Sequence, residues 1–143
     1  FKSEVMVNTT EPLFLDGVRN ENKKVVLTTV HQQFVDGIAQ ANIPLTYKDV
    51  ELEHIEQWLS KGFSVLLLIS TYSFDGKKSP HWVCVTHLDE HCVYVHDPFC
   101  EPGSDKQLAI DCQYVPIARS DFSKMSAFGS QRLRTAVAIA NKI

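Results

Sequence analysis

The stretch that decides the fold is PHWVCVTHLDEHCVYVHDP, residues 80–98. Two runs that alternate apolar with other side chains flank the polar residues Asp89 and Glu90, a pattern typical of a β-hairpin. His81 stands at the entry of the first strand and Asp97 at the exit of the second. A cysteine hydrolase needs an imidazole to take a thiol proton and a carboxylate to orient that imidazole. The hairpin is therefore predicted to hold a base and its orienting acid on two paired strands.

Side-chain alternation along the strands decides whether His81 and Asp97 can meet. A hairpin loop with an odd number of residues puts them on one face: directly opposite for the loop 88–90, and diagonally for five residues. A two-residue turn at Asp89-Glu90 puts them on opposite faces. Neither turn residue favours the positive φ that such a turn demands, so we expect the longer loop.

The nucleophile is missing, because no cysteine precedes Cys84 in the chain. Alternation places Cys84 and Cys92 on the face opposite to His81, which makes both poor nucleophiles. Cys100, in a polar loop beyond Asp97, is the one thiol with a chance of exposure near the pair, and its simplest interpretation is an incidental loop cysteine. The chain is thus predicted to contain no nucleophile of its own.

Composition bounds the class of protein. The 143 residues are enough for one domain with a sizeable core. The net charge of −3 gives no electrostatic footprint for nucleic acid or an anionic membrane. The longest apolar run, residues 65–69, is too short to cross a bilayer, and no secretory signal precedes it. Because two of the four cysteines sit in apolar strands, we expect reduced thiols and a cytoplasmic location.

The rest of the chain predicts helices followed by an antiparallel sheet, an α+β fold. The first helix, from about residue 21 to 41, is expected to turn Val26, Val30, Phe34 and Ile38 inward. A second helix is expected at about 50–61 and a short one at 120–125. The predicted strands, besides the hairpin, are 4–7, 63–70, 114–117 and 132–139.

Three segments resemble a known family: residues 67–72, 79–83 and 93–98, which read LLISTY, SPHWV and VYVHDP. They are similar to the peptidase C39-like family of bacterial proteins, in the papain-like cysteine peptidase superfamily. The resemblance covers most of the chain and implies a papain-like fold, with amino-terminal helices packed on an antiparallel sheet. It also implies that His81 is the catalytic base and that Asp97 orients it.

The family's cysteine nucleophile, at the start of an early helix, and the glutamine before it have no counterpart here. The chain therefore resembles the carboxy-terminal part of such a domain. We expect residues 1–143 to form a single peptidase C39-like domain, truncated at its amino terminus. The nucleophile would then lie upstream, and an additional amino-terminal domain in the full-length protein is possible on this view.

Simpler interpretations stand beside these. His81 and Asp97 also fit a strand-entry histidine and a turn-forming Asp-Pro pair. Trp82 could floor a substrate groove or belong to the core. Arg132 and Arg134 are expected to share one solvated face of the last strand.

A metal site is not expected, although three histidines cluster near two cysteines in the hairpin. Alternation separates His87 and His91 from the others, and no closely spaced ligand pair occurs. No cofactor is expected either.

Two functions follow. The first is a cysteine peptidase that hydrolyses peptide or related amide bonds, with a peptide or protein as substrate and partner, and with neither nucleic acid nor membrane as partner. The second is a catalytically inactive module that binds peptides on the same fold. A cysteine upstream of Phe1 would favour the first.

Overall fold

The computed structural model describes residues 1–99 and 108–140. Its strands are β1 (Lys2–Val7), β2 (Leu45–Tyr47), β3 (Ser64–Ser70), β4 (Pro80–Leu88), β5 (Cys92–His96), β6 (Val115–Ala118) and β7 (Thr135–Ala140). Its α-helices are α1 (Glu21–Gln40), α2 (Leu52–Ser60), α3 (Tyr72–Asp75) and α4 (Arg119–Met125). Two short 3-10 helices lie at Leu15–Gly17 and Ala109–Cys112. None of the helices in the described residues has the length and apolar character to cross a bilayer.

The strands form one sheet in the order β2-β1-β7-β3-β4-β5-β6. All neighbours are antiparallel except β1 and β2, which are parallel. Strand β3 is central because its apolar run is buried on both faces, as Leu67 and Leu68 show. The α+β class is confirmed. The first strand, β1, nevertheless precedes the helices in the sequence, and it pairs with β7 near the middle of the sheet. The short strand β2 was not predicted.

The main core lies between one face of the sheet and helices α2 and α4. Ile55 and Trp58 of α2 are buried there, as are Phe122 and Met125 of α4. This face carries the odd-numbered residues of β3 and β5, and those of β4 as far as a bulge in that strand. We call it the core face. The other face carries a smaller apolar cluster, in which Val7 and Leu133 contact Leu68.

The predicted inward face of helix α1 is right for Val30 and Ile38, which are half-buried, and wrong for Val26 and Phe34. Val26 is 60% exposed and Phe34 is 69% exposed, whereas Val35 and Ile38 are half-buried. The helix has no fully buried residue. Its apolar residues are spread around the axis, so the three- and four-residue spacing did not single out the face that contacts the rest of the chain.

Arg134 also contradicts its prediction, because its side chain is buried while Arg132 is exposed. Its guanidinium donates hydrogen bonds to the carbonyl of Val50, to Ser126 Oγ and to the carbonyl of Ser123, at 3.3, 3.3 and 2.8 Å. The two arginines do not share a strand face: Arg132 has φ of 49° in a turn, and β7 begins only after Arg134.

One edge of the sheet positions the candidate site. Strands β1, β3 and β5 end there, at Val7, Ser70 and His96. Strands β4 and β7 begin there, at Pro80 and Thr135. We call this the upper edge. Because His81 opens β4 and Asp97 follows β5, both lie at the upper edge.

Candidate active site

The hairpin of β4 and β5 contains a β-bulge. Cys84 lies opposite His96 near the upper edge, whereas His87 lies opposite Tyr94 nearer the turn, so Thr86 is an extra residue in β4. Thr86 Oγ1 donates a hydrogen bond to the carbonyl of Tyr94 at 3.1 Å. The extra residue shifts the register of the ladder by one position.

This bulge places the predicted pair on one face. The amide of Asp89 donates to the carbonyl of Cys92 at 3.0 Å, which leaves only Glu90 and His91 at the tip. The prediction of an odd-numbered loop is therefore wrong. A two-residue tip alone would separate His81 from Asp97, but the bulge restores the register, and the two residues are diagonal neighbours on the core face.

Asp89 explains why so short a turn forms without positive φ at its tip. Its Oδ1 accepts hydrogen bonds from the amides of His91 and Cys92, at 2.8 and 2.7 Å. Its Oδ2 accepts the hydroxyl of Tyr94 at 2.7 Å. The bond from Tyr94, followed by those from the two amides, lowers the pKa of Asp89 to about 2. The same bond to Asp89 raises the pKa of Tyr94.

His81 and Asp97 are in direct contact, with 2.7 Å between His81 Nε2 and Asp97 Oδ1. Their side chains are 22% and 26% exposed, so both are shielded but reachable from solvent. Asp97 is held in turn, because its Oδ1 accepts the amide of Phe99 and its own amide donates to the carbonyl of Cys112, both at 2.8 Å. A carboxylate only accepts hydrogen bonds, so the neutral imidazole carries its hydrogen on Nε2 and keeps Nδ1 as the proton acceptor.

The thiols of the described residues do not complete this pair. Cys84 and Cys92 are free thiols on the face away from His81. Burial raises the pKa of Cys84, which disfavours its thiolate. Cys112 is disulfide-bonded, so the prediction of reduced thiols is wrong for this residue. Cys100 lies outside the described residues.

The cytoplasmic location stays a prediction.

Trp82, the predicted substrate contact, lies opposite Leu68 in the β3–β4 ladder. Its side chain is 37% exposed and points away from the core face, and hence away from His81. A role in substrate binding stays a prediction. His96 also lies on this second face, where its ring and that of Tyr114 form a T-shaped pair with 4.5 Å between centroids.

Among the described residues, no three histidine, cysteine, aspartate or glutamate side chains are close enough together to hold a metal ion. The hairpin histidines and cysteines therefore do not form such a cluster in this part of the chain.

Sequence reasoning missed a cavity of about 550 Å³ at the upper edge. It lies between the loop 8–17, the turn 128–133 and Pro80, the residue that precedes His81. The only signal in the sequence is the apolar group Pro12-Leu13-Phe14-Leu15 in a segment without strand or helix periodicity.

The fold and site together define an α+β protein with a histidine–aspartate pair, suited to general base catalysis, at one edge of its sheet. The chain belongs to the Peptidase_C39 like family, whose model matches residues 1–140. Neither the comparison with curated proteins nor the comparison with solved structures gives a match. Family membership confirms the resemblance that the sequence segments carried and suggests a peptidase role.

Proposed function

We propose that this chain carries the base and the orienting acid of a papain-like cysteine peptidase. The observation that supports the proposal is the 2.7 Å contact between His81 Nε2 and Asp97 Oδ1 on one face of the β4–β5 hairpin. Both partners are fixed by the backbone: His81 lies opposite Ile69 in the sheet, and Asp97 holds the amide of Phe99.

In this mechanism Nδ1 of His81 takes the proton of a cysteine thiol, and the thiolate attacks a peptide carbonyl carbon. The imidazolium then gives its proton to the leaving amine, and a thioester forms. Water, deprotonated by His81, hydrolyses the thioester and releases the thiol. Asp97 keeps the imidazole oriented and stabilises its charged form throughout. The thiol would come from a segment of the protein outside this sequence.

The test is peptide hydrolysis by the full-length gene product carrying His81→Ala. Loss of a general base should lower kcat/KM by about 10²–10⁴-fold. His87→Ala is the matched control, because His87 is an exposed histidine of the same strand near the turn. Urea denaturation shows whether both variants fold. Full activity in a folded His81→Ala variant contradicts the proposal.

A peptide-binding module without hydrolysis is the second candidate. It is favoured by the position of Cys84 and Cys92, which face away from His81. A full-length product that binds a peptide but never cleaves it, with or without His81, supports this second function.

A further inference from the structure

We propose that the cavity at the upper edge binds a large apolar side chain of a neutral or basic peptide, as a specificity subsite of the proposed peptidase. The inference rests on the proposed function for the identity of its ligand as a peptide. Its volume of about 550 Å³ lies within the range of small-ligand sites, about 300–1,000 Å³.

The cavity has apolar walls built on the fold. Leu133 is buried and Leu13 packs against the same cluster, so these residues form an apolar base. Phe14 and Phe128 meet edge to face with 5.8 Å between ring centroids. Aromatic and aliphatic walls of this kind favour an apolar side chain that would otherwise contact water.

Polar contacts hold the two sides of the cavity together. Asp16 Oδ2 accepts the hydroxyl of Ser130 at 2.7 Å, which ties the loop 8–17 to the turn 128–133. At the other end of the loop, Asn8 Nδ2 donates to the carbonyl of Arg132 at 3.0 Å, and the amide of Arg134 donates to Asn8 Oδ1 at 2.9 Å. These bonds join the two loops that line the cavity to each other.

The charged residues that line the cavity indicate which class of ligand carries the apolar group. The charged residues that line the cavity among the described residues are Glu11 and Asp16, both acidic. A fatty acid would bring its carboxylate towards two like charges, which is unfavourable, whereas a basic peptide gains attraction. The lining therefore favours a peptide with an apolar side chain beside lysine or arginine.

The position links the cavity to the catalytic pair. Pro80 lines the cavity, and the next residue is His81, whose side chain points to the other face of the sheet. Both features lie at the upper edge. On this proposal an extended peptide crosses the edge, with one side chain in the cavity and a nearby amide bond over His81.

The experiment maps the binding of blocked peptides by ¹H–¹⁵N correlation spectra of the folded chain. The probe is acetyl-Gly-Lys-Phe-Lys-Gly-amide, and the comparisons are its Phe-to-Ala and Lys-to-Glu counterparts and laurate. We expect the Phe peptide to shift amides of residues 13–17 and 128–133. Replacing its phenylalanine by alanine should weaken binding about tenfold or more, since an apolar side chain leaves the cavity. The Glu peptide and laurate should bind more weakly than the Lys peptide.

Gly17→Trp tests the site itself. Gly17 lines the cavity, and a Cβ there meets no atom within 4 Å, so a bulky side chain can be added at the cavity wall without a clash next to the backbone. The matched control is Gly37→Trp on α1, which has the same open surroundings but lies away from the cavity. We expect weaker binding of the Phe peptide, by about tenfold, for Gly17→Trp only.

Three results overturn the inference: equal affinity for the Phe and Ala peptides, laurate binding as tightly as the Lys peptide, or unchanged affinity in a folded Gly17→Trp variant. His81→Ala separates this inference from the proposed function. Binding that survives His81→Ala but not Gly17→Trp supports the subsite whether or not hydrolysis occurs. Hydrolysis that requires His81 but is unaffected by Gly17→Trp, in kcat/KM and in peptide affinity, refutes the subsite alone.

Discussion

Deletion of Thr86 tests whether the bulge has any role besides accommodating one extra residue in β4 while the residues on either side keep their faces of the sheet. The pairs Val85–Val95 and His87–Tyr94 lie on either side of Thr86, so its removal leaves them as adjacent rungs of a regular ladder. The loss is one hydrogen bond, from Thr86 Oγ1 to a backbone carbonyl, worth about 1 kcal/mol. We expect a folded protein, destabilised by no more than about 1.5 kcal/mol, with the His81–Asp97 bond intact.

Deletion of Cys84 is the matched control, two residues nearer the upper edge. It turns Val83 out of the core, where that residue is 1% exposed, and turns His81 to the other face. Exposing the Val83 side chain to water should lower the free energy of unfolding by about 1.5–3 kcal/mol. Losing the partly exposed bond between His81 and Asp97 should lower it by at most about 1.5 kcal/mol more.

Urea denaturation measures both stabilities, and the protected imidazole Nε2–H resonance of His81 reports its bond to Asp97. Our account is refuted if deletion of Thr86 removes that resonance in a folded protein. It is equally refuted if deletion of Cys84 preserves the resonance without loss of stability.

Three further variants test other contacts. Tyr94→Phe removes the bond that most lowers the pKa of Asp89, so this pKa should rise from about 2 towards its ordinary 3.8, measured by carboxyl ¹³C titration; an unchanged value contradicts the assignment. Because the folded pKa of Asp89 is lowered, the turn's contribution to stability is present above about pH 4 and disappears as the pH falls through about 2. The variant should show a weaker pH dependence of stability, because the bonds from the amides of His91 and Cys92 remain. Arg134→Met leaves three hydrogen-bond acceptors without their donor, so the free energy of unfolding measured in urea should fall by about 3 kcal/mol. A fall of less than about 1 kcal/mol would show that water replaces the guanidinium. Phe34→Glu should change stability by less than about 0.5 kcal/mol, because that ring is 69% exposed, and a loss above about 2 kcal/mol would show that it packs.

Strong local patterns predicted most of the elements. The run at residues 65–69 is the central strand, and helix α2 lies within the predicted span 50–61. Asn20 caps α1, because its side chain accepts the amide of Lys23 at 3.1 Å. These features are set by contacts near in sequence or by burial on both faces, and both leave a clear pattern.

Features that depend on distant partners were not predictable in the same way. Strand β2 is three residues long and exists because it pairs with β1. Arg134 is buried because Val50 and α4 supply acceptors, which no local pattern reveals. The cavity is formed by two loops more than a hundred residues apart. In each case the determining contact is tertiary.

The candidate site was predictable in its residues but not in its geometry. Both His81 and Asp97 were identified from the hairpin, and alternation correctly required them to share a face. The geometry that brings them to one face differs from the predicted odd-numbered loop. The Asp89 carboxylate stabilises a two-residue tip, and the extra residue Thr86 shifts the register by one position. A bulge leaves no signature in a single sequence beyond a strand that is one residue too long, so the loop alone could not decide the pairing.

Asp97 shows why the structural and catalytic interpretations of this motif do not exclude each other. One oxygen of its carboxylate accepts both the amide of Phe99, which forms the turn, and Nε2 of His81. A turn-forming aspartate before proline is common, so its presence says little about catalysis. The turn, however, needs no imidazole: the bond from Phe99 would form with any residue at position 81. The distinguishing feature is therefore His81, whose Nε2 bonds to Asp97 and whose Nδ1 is a proton acceptor at the upper edge.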